Sequence, residues 1–273
     1  MLKDKNILVG ITGGIAAYKT AEVVSNLKKN SANINVIMTQ AATKFVSPLT
    51  FQTLSQNFVC VDMFGRPNTW EVEHISLATK ADLVLIAPAT ANIIGKIANG
   101  IADDMLTTTI MATEKKVIFA PAMNNNMYAN PIVKYNIQKL KNLGYEFISP
   151  GEGRLACGTY GEGRMAEPKE ILEYMYDCFS KKDLEKKKVI ITAGPTIEPL
   201  DPVRYMTNFS SGKMGYALAR EAKNRGANVT LISGPTNLDP PLGVKFIRVN
   251  TTREMLKSIE NEFNDCDVLI KAA

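Results

Sequence analysis

The stretch VGITGGIAAYK, Val9 to Lys19, decides how the rest of the chain is read. Asn6 to Val9 is a short apolar run of the kind that forms a buried strand, and from Ile15 to Lys29 apolar residues recur at helical spacing. A strand that turns through Gly13-Gly14 into a helix leaves backbone N–H groups pointing above the sheet edge, where an anion such as a phosphate is favoured. The dinucleotide fingerprint G-x-G-x-x-G is not met, because Gly10, Gly13 and Gly14 are followed by Ile15-Ala16-Ala17. Taken alone, the stretch fits either a nucleotide-type ligand or an ordinary tight strand-to-helix turn.

Working outward, Asn33 to Thr39 reads as the second strand of a βαβ unit with a parallel sheet, which puts Thr39 at the edge where open α/β sheets bind ligands. Ser47-Pro48 starts a helix through about Gln56, Phe58 to Val61 is a short strand, and a loop from Asp62 to Glu73 leads to His74 at the head of a helix, Ile75 to Lys80. A lone histidine is structural unless its neighbours show otherwise. Ala81 to Ala87 is apolar after Asp82, as a central parallel strand is, and Pro88 is expected to end it. Pro88-Ala89-Thr90-Ala91-Asn92 then opens a helix from Ile93. The same grammar recurs at the strand Lys116 to Ala120, with Pro121-Ala122-Met123-Asn124 after it and a helix beyond Asn130-Pro131. Two such turns at neighbouring strand ends exceed what helix capping alone requires. Between them, Gly100 to Asp104 and the threonine-rich helix to Thr113 have the small and hydroxyl residues of a subunit contact.

Gly144 to Ile148 gives a last strand, and Pro150 to Met165, PGEGRLACGTYGEGRM, reads as a mobile loop because it holds five glycines in sixteen residues. Cys157 lies in its middle near Arg154 and Arg164, cations that can lower a thiol's pKa; an incidental exposed thiol is the alternative. Glu167-Pro168 starts a helix from Lys169 to Phe179. The run Lys181 to Lys188 then reads as a solvated linker, after which the pattern restarts with a strand, Lys188 to Thr192. The turn Ala193 to Thr196, an irregular segment Ile197 to Ser211 and a helix Gly212 to Arg225 follow. Asn208 to Gly215, NFSSGKMG, is either a phosphate cradle or a serine-capped helix with a solvated Lys213. Strands at Asn228–Ser233, Lys245–Val249 and Asp267–Ile270, and a capping box at Thr251 to Glu254, complete the pattern.

Composition narrows the class. The 273 residues exceed the usual single domain, and 45% hydrophobic with 22% charged residues is a globular balance. No run is long enough for a membrane span and no secretory signal is evident, so a cytoplasmic protein is expected. Cys60, Cys157, Cys178 and Cys266 are scattered and there is one histidine, which supports neither a disulfide framework nor a zinc site. Cys60 and Cys266 are expected in the core. A net charge of +5, with lysines that lack interleaved aromatics, gives no nucleic-acid surface.

GGIAAYK (13–19), the segment with His74, PATAN (88–92), GIADD (100–104), PAMN (121–124) and LACGTYGEGRM (155–165) occur in the order in which they stand in one family. The chain resembles the bifunctional coenzyme A biosynthesis proteins, in which phosphopantothenoylcysteine decarboxylase is fused to phosphopantothenate–cysteine ligase. AGPTIEPLDPVRYMTNFSSGKMG (193–215) resembles the start of the ligase. The resemblance implies an α/β fold with a Rossmann-like, flavodoxin-type parallel sheet of the flavin-containing cysteine decarboxylase family over residues 1–180. It also implies a linker at 181–187 and a partial second Rossmann-like domain over 188–273. FMN is implied between subunits of a homo-oligomer, touching Gly13, Gly14, Ile15, Thr39, Thr90, Ala91, Asn92 and Ala122. His74 matches the family's active-site histidine, Asn124 the residue that holds the substrate carboxylate, and Cys157 a proton donor.

The implied reaction turns 4'-phosphopantothenoylcysteine into 4'-phosphopantetheine: the thiol-bearing carbon is oxidised to a thioaldehyde, carbon dioxide leaves, and the enethiol is reduced again. For the ligase half the resemblance implies CTP, Mg2+, phosphopantothenate and cysteine, with Asn208, Ser210, Ser211, Gly212 and Lys213 at that site. The family's continuation after the last Ala-Ala is absent, so truncation within the ligase domain and a chain that decarboxylates without ligating are expected. Two other readings stand beside the enzyme. One is a non-catalytic flavin-binding regulatory subunit, disfavoured because His74, Asn124 and Cys157 are all present. The other is a nicotinamide oxidoreductase, disfavoured by the missing fingerprint and by Thr39-Gln40 where an acid is expected.

Overall fold

Six short strands lie side by side in the N-terminal part of the chain, and all run in one direction. The computed structural model describes residues 2–64, 73–154, 158 and 160–273. In order come β1 (Asn6–Ile11), α1 (Ala17–Lys29), β2 (Asn33–Met38), α2 (Pro48–Ser55), β3 (Val59–Cys60), α3 (Glu73–Lys80), β4 (Leu83–Ala89) and α4 (Ala91–Ala98). They are followed by α5 (Met105–Ala112), β5 (Val117–Pro121), α6 (Asn125–Ala129), α7 (Pro131–Asn142), β6 (Glu146–Phe147), β7 (Gly151–Arg154), β8 (Tyr160–Arg164) and α8 (Pro168–Phe179). The sheet order is β3-β2-β1-β4-β5-β6, the order of a doubly wound Rossmann-like sheet. β1 pairs β2 on one side and β4 on the other, Val9 facing Val36 and Leu85 in register. The chain therefore changes direction across the sheet between β1 and β4.

Every residue of β4 is buried, and so is every residue of β5, which explains their unbroken apolar runs. One core cluster joins Leu8, Val84, Ile86 and Phe119 of the sheet to Ile94, Ile97, Leu106, Ile110 and Leu140 of α4, α5 and α7. The Phe119 ring stacks on Phe147 with centroids 4.7 Å apart.

Several local expectations are corrected. β4 does not stop at Pro88: pairing with β5 moves from Ile86↔Phe119 to Ala89↔Pro121, and this bulge leaves Pro88 no ladder bond to donate. Pro150 to Met165 is not simply a mobile loop, because β7 and β8 form an antiparallel hairpin within it. Two of its glycines, Gly161 and Gly163, answer to close packing. Gly163 has φ +127, a Cβ there would strike the Met123 carbonyl oxygen, and its own carbonyl accepts from Met123 N at 2.9 Å. A short helix, α6, precedes α7; the Asn124 side chain caps it, accepting from Asn126 N at 2.8 Å. The Thr107 and Thr109 hydroxyls donate to the carbonyls of Asp104 and Met105, around or within α5. Cys60 and Cys266 are half-buried rather than fully in the core.

The chain divides within α8 into two units, Met1–Met175 and Tyr176–Ala273. The second holds β9 (Lys188–Ala193), β10 (Glu198–Pro199), β11 (Tyr205–Met206), α9 (Lys213–Asn224), β12 (Asn228–Ser233), β13 (Lys245–Arg248), α10 (Thr252–Phe263) and β14 (Val268–Ala272). Its four-stranded parallel sheet has the order β13-β12-β9-β14. The segment expected to be irregular contains the β10–β11 hairpin, whose turn is held by Asp201 accepting from Val203 N and Arg204 N. The lysine-rich run is exposed at its lysines yet tied to this unit. Asp183 takes a bidentate bond from Arg225 at 2.7 Å, and Leu184 packs on the unit's core. Thr251 and Glu254 form the expected capping box. Among the described residues, no helix is long and apolar enough to cross a membrane, and no group of acids, cysteines and histidines is arranged for a metal ion.

Candidate active site

The C-terminal ends of β1, β2, β4 and β5 open into one cavity of about 1000 Å³. It lies at the β1/β4 reversal, where doubly wound sheets bind ligands. Each wall is a turn. The β1–α1 turn gives Thr12 to Ala16, the end of β2 gives Thr39 to Ala41, the β4–α4 turn gives Thr90 to Asn92, and the end of β5 gives Ala122 to Asn124. Gly163 to Met165, at the end of β8, close a further side.

Thr12 ties the first and third walls together. Only 2% exposed, its hydroxyl donates to the Pro88 carbonyl at 2.6 Å and accepts from Thr90 N at 3.3 Å. The bulge at Pro88 turns that carbonyl toward β1. Thr90 is the N-cap of α4 with extended backbone, yet no side chain caps the helix, and none caps α1 at Ala16. Two helix starts without side-chain caps thus face one cavity, a donor set suited to anionic oxygens. Gly13 is fixed by space rather than by dihedral angle, since a Cβ there would lie 2.5 Å from the Ala41 Cβ.

All eight residues expected to touch FMN, and Asn124, line this cavity. His74 does not: it is half-buried on α3 and lies off the cavity. Cys157 lies outside the described residues, as does the middle of the loop before His74. Sequence reasoning missed Thr12, Lys19, Lys96 and Arg164, which also line the cavity. Thr12 and Lys19 stood in the opening stretch, but the glycines carried that reading; Arg164 became a cavity residue only through the hairpin. Near α3, the Cys60 thiol donates to Glu73 Oε1 at 2.8 Å, and burial first, then that carboxylate, pushes its pKa far up.

The second unit repeats the arrangement on a smaller scale. Gly194 (φ +77) and Gly212 (φ +74) meet where β9 ends and α9 begins, and a Cβ on either would lie 2.8 Å from Thr236 Cγ2. Gly212, not a serine, is the N-cap of α9, and no side chain caps it. Asn208, Ser210, Ser211 and Lys213 are exposed beside it, with Asn208 Oδ1 accepting from Ser210 N at 2.8 Å. Tyr216 of α9 donates to Ser233 at the end of β12, joining the strand ends that frame this spot.

A doubly wound α/β unit with an anion-suited cavity of about 1000 Å³ at its switch point defines the class. Comparison with known proteins narrows it. Residues 1–180 match the Flavoprotein family and residues 184–273 the DNA/pantothenate metabolism flavoprotein C-terminal domain. The coenzyme A biosynthesis bifunctional protein CoaBC of Bacillus subtilis is 50% identical over all of this chain and 68% of its own length. That of Escherichia coli strain K12 is 42% identical over all of this chain and 67% of its own. Among solved structures, a PPC decarboxylase cysteine-to-serine mutant complexed with pantothenoylaminoethenethiol has a TM-score of 0.58 and 32% identity, covering 63% of this chain and 97% of that one. The FMN-dependent cysteine decarboxylase SpaF has a TM-score of 0.54 and 31% identity, covering 59% of this chain and 92% of that one. The chain belongs to the CoaBC family of coenzyme A biosynthesis flavoproteins.

Proposed function

We propose that this protein binds FMN in the cavity at the β1/β4 switch point and decarboxylates 4'-phosphopantothenoylcysteine to 4'-phosphopantetheine. The observation that carries the reading is the convergence of Gly13-Gly14-Ile15, Thr39, Thr90-Ala91-Asn92, Ala122 and Asn124 on one cavity from four separate strand ends. The donor set fits a flavin mononucleotide. Helix starts and hydroxyls suit its phosphate and ribityl oxygens, and Ile15, Met123 and Met127 offer apolar surface for its ring. Bound FMN supplies an acceptor and donor for the electron pair that leaves and returns to the substrate's thiol-bearing carbon. Asn124, on the rim formed by β5, holds the substrate carboxylate by hydrogen bonds until it departs as carbon dioxide. Cys157 delivers the proton that completes reduction of the enethiol. His74, off the cavity of its own chain, serves the cavity of a neighbouring copy in a homo-oligomer, where the exposed Ile15 and Tyr18 at the mouth would be covered.

The second unit belongs to the CTP- and Mg2+-dependent phosphopantothenate–cysteine ligase. Asn208, Ser210, Ser211, Gly212 and Lys213 border its nucleotide there, supported by the junction of two positive-φ glycines at an uncapped helix start. The test of the first reading is a Cys157→Ser variant loaded with FMN. It is expected to release carbon dioxide but accumulate the enethiol, and formation of 4'-phosphopantetheine at the wild-type rate would refute the role of Cys157.

A further inference from the structure

Three cations line the cavity: Lys19, Lys96 and Arg164. Lys96 is answered by two carboxylates, Asp103 at 2.6 Å and Asp104 at 3.3 Å. The other two share one. Lys19 Nζ lies 2.9 and 3.0 Å from the two oxygens of Glu167, and Arg164 Nη2 lies 2.8 Å from Oε1 of the same carboxylate. Lys19 comes from the first turn of α1 with its side chain 12% exposed, and Arg164 from the end of β8. Since both nitrogens stand on Oε1, the two distances laid end to end put them no more than about 5.7 Å apart. Two cations so close repel each other unless an anion stands between them. Glu167 fills that role on one side, so among the described residues the group Lys19, Arg164 and Glu167 carries one positive charge in excess.

A phosphate monoester brings nearly two negative charges and three acceptor oxygens, enough to engage both cations at once. We propose that Lys19 and Arg164, yoked by Glu167, are a subsite for a phosphate monoester and make the cavity prefer a phosphorylated ligand over its dephosphorylated form. The identity of that ligand rests on the proposed function, under which both the substrate and the flavin carry such a group. A purely structural salt bridge would affect phosphorylated and dephosphorylated ligands alike, so the ratio between them is the readout.

The full-length chain, Lys19→Gln and Arg164→Gln are compared in two arms, neither of which needs turnover. In the first, calorimetry of the FMN-loaded protein measures binding of 4'-phosphopantetheine and of pantetheine; in the second, flavin fluorescence of the flavin-free protein measures FMN and riboflavin. Charge-assisted bonds to a phosphate predict a wild-type preference on the order of 100-fold in one arm. Each variant is expected to cut that preference about tenfold while leaving the dephosphorylated ligand's affinity unchanged. Loss in the first arm assigns the subsite to the substrate, and loss in the second to the cofactor; either supports the proposal. Preferences unchanged in both arms, or equal weakening of both ligands of a pair, would overturn it. Arg164 is half exposed, so its variant tests the idea even if replacing Lys19 impairs folding. A wild type that shows the preference yet releases no carbon dioxide would retract the decarboxylase reading and leave the subsite standing.

Discussion

Replacing Thr12 by valine keeps the side chain's shape and removes one oxygen. That oxygen is 2% exposed at the residue level and serves two backbone groups, the Pro88 carbonyl and Thr90 N. Leaving a buried polar group without its partner costs about 1–3 kcal/mol. The bond to Pro88, at 2.6 Å, is the shorter and the more costly to lose. Part of that cost falls on folding and part on the cavity, because the same hydroxyl fixes the spacing of the β1 and β4 walls. If half of the upper figure falls on the site, FMN affinity drops roughly tenfold. Flavin fluorescence titration measures the affinity, and urea denaturation of the flavin-free protein measures stability. Thr12→Ser, which keeps the oxygen, is expected to recover most of both. Wild-type FMN affinity together with an unchanged denaturation midpoint in Thr12→Val would refute the claim that this hydroxyl joins the two walls.

Further outcomes follow from the same geometry. Gly163→Ala forces a side chain into the Met123 carbonyl at φ +127, so the β7–β8 hairpin is expected to come away from the cavity; limited proteolysis should cut this segment faster than in the wild type. The Cys60 thiol, its pKa raised by burial and by Glu73, is expected to resist iodoacetamide at pH 8 in the native protein and to react in urea, as read by peptide mass spectrometry. The bond from Lys19, followed by the nearby charges of Lys19 and Arg164, lowers the pKa of Glu167 below its ordinary 4.5 despite partial desolvation. A carboxyl depressed on folding stabilises the protein above its unfolded pKa and loses that contribution as pH falls through the folded one. The stability advantage of wild type over Glu167→Gln is therefore expected to be full at pH 7, to begin falling as the pH drops below the ordinary 4.5, and to be lost only once the pH is below the folded-state value, as measured by denaturation midpoints across pH.

The sheet was legible because its central strands, β1, β4 and β5, are buried on both faces. NILVGI, LVLIAPA and VIFAP carry few residues that any other element would use, and several helices start at capping residues, Ser47 and Asn130 in the first unit and Thr251 in the second. The strand ends followed from that order, and with them the cavity walls. Hidden features depended on partners far along the chain. Gly163 reads locally as flexibility, yet its lack of a side chain serves contact with Met123, forty residues earlier. Pro88 reads as a strand terminator because the bulge that excuses it is a property of β5 as much as of β4. Lys19 looks like one more solvated helix lysine until Glu167, 148 residues away, is folded against it. The β10–β11 hairpin is two residues per strand, too short for alternation to register.

The central claim is that this cavity, loaded with FMN, decarboxylates 4'-phosphopantothenoylcysteine. Mass spectrometry of that substrate incubated with the FMN-loaded chain tests it most directly. The expected result is conversion to 4'-phosphopantetheine with loss of carbon dioxide, abolished in Asn124→Asp, which places a like charge against the substrate carboxylate. Substrate that remains intact beside a fully flavin-loaded protein would contradict the account.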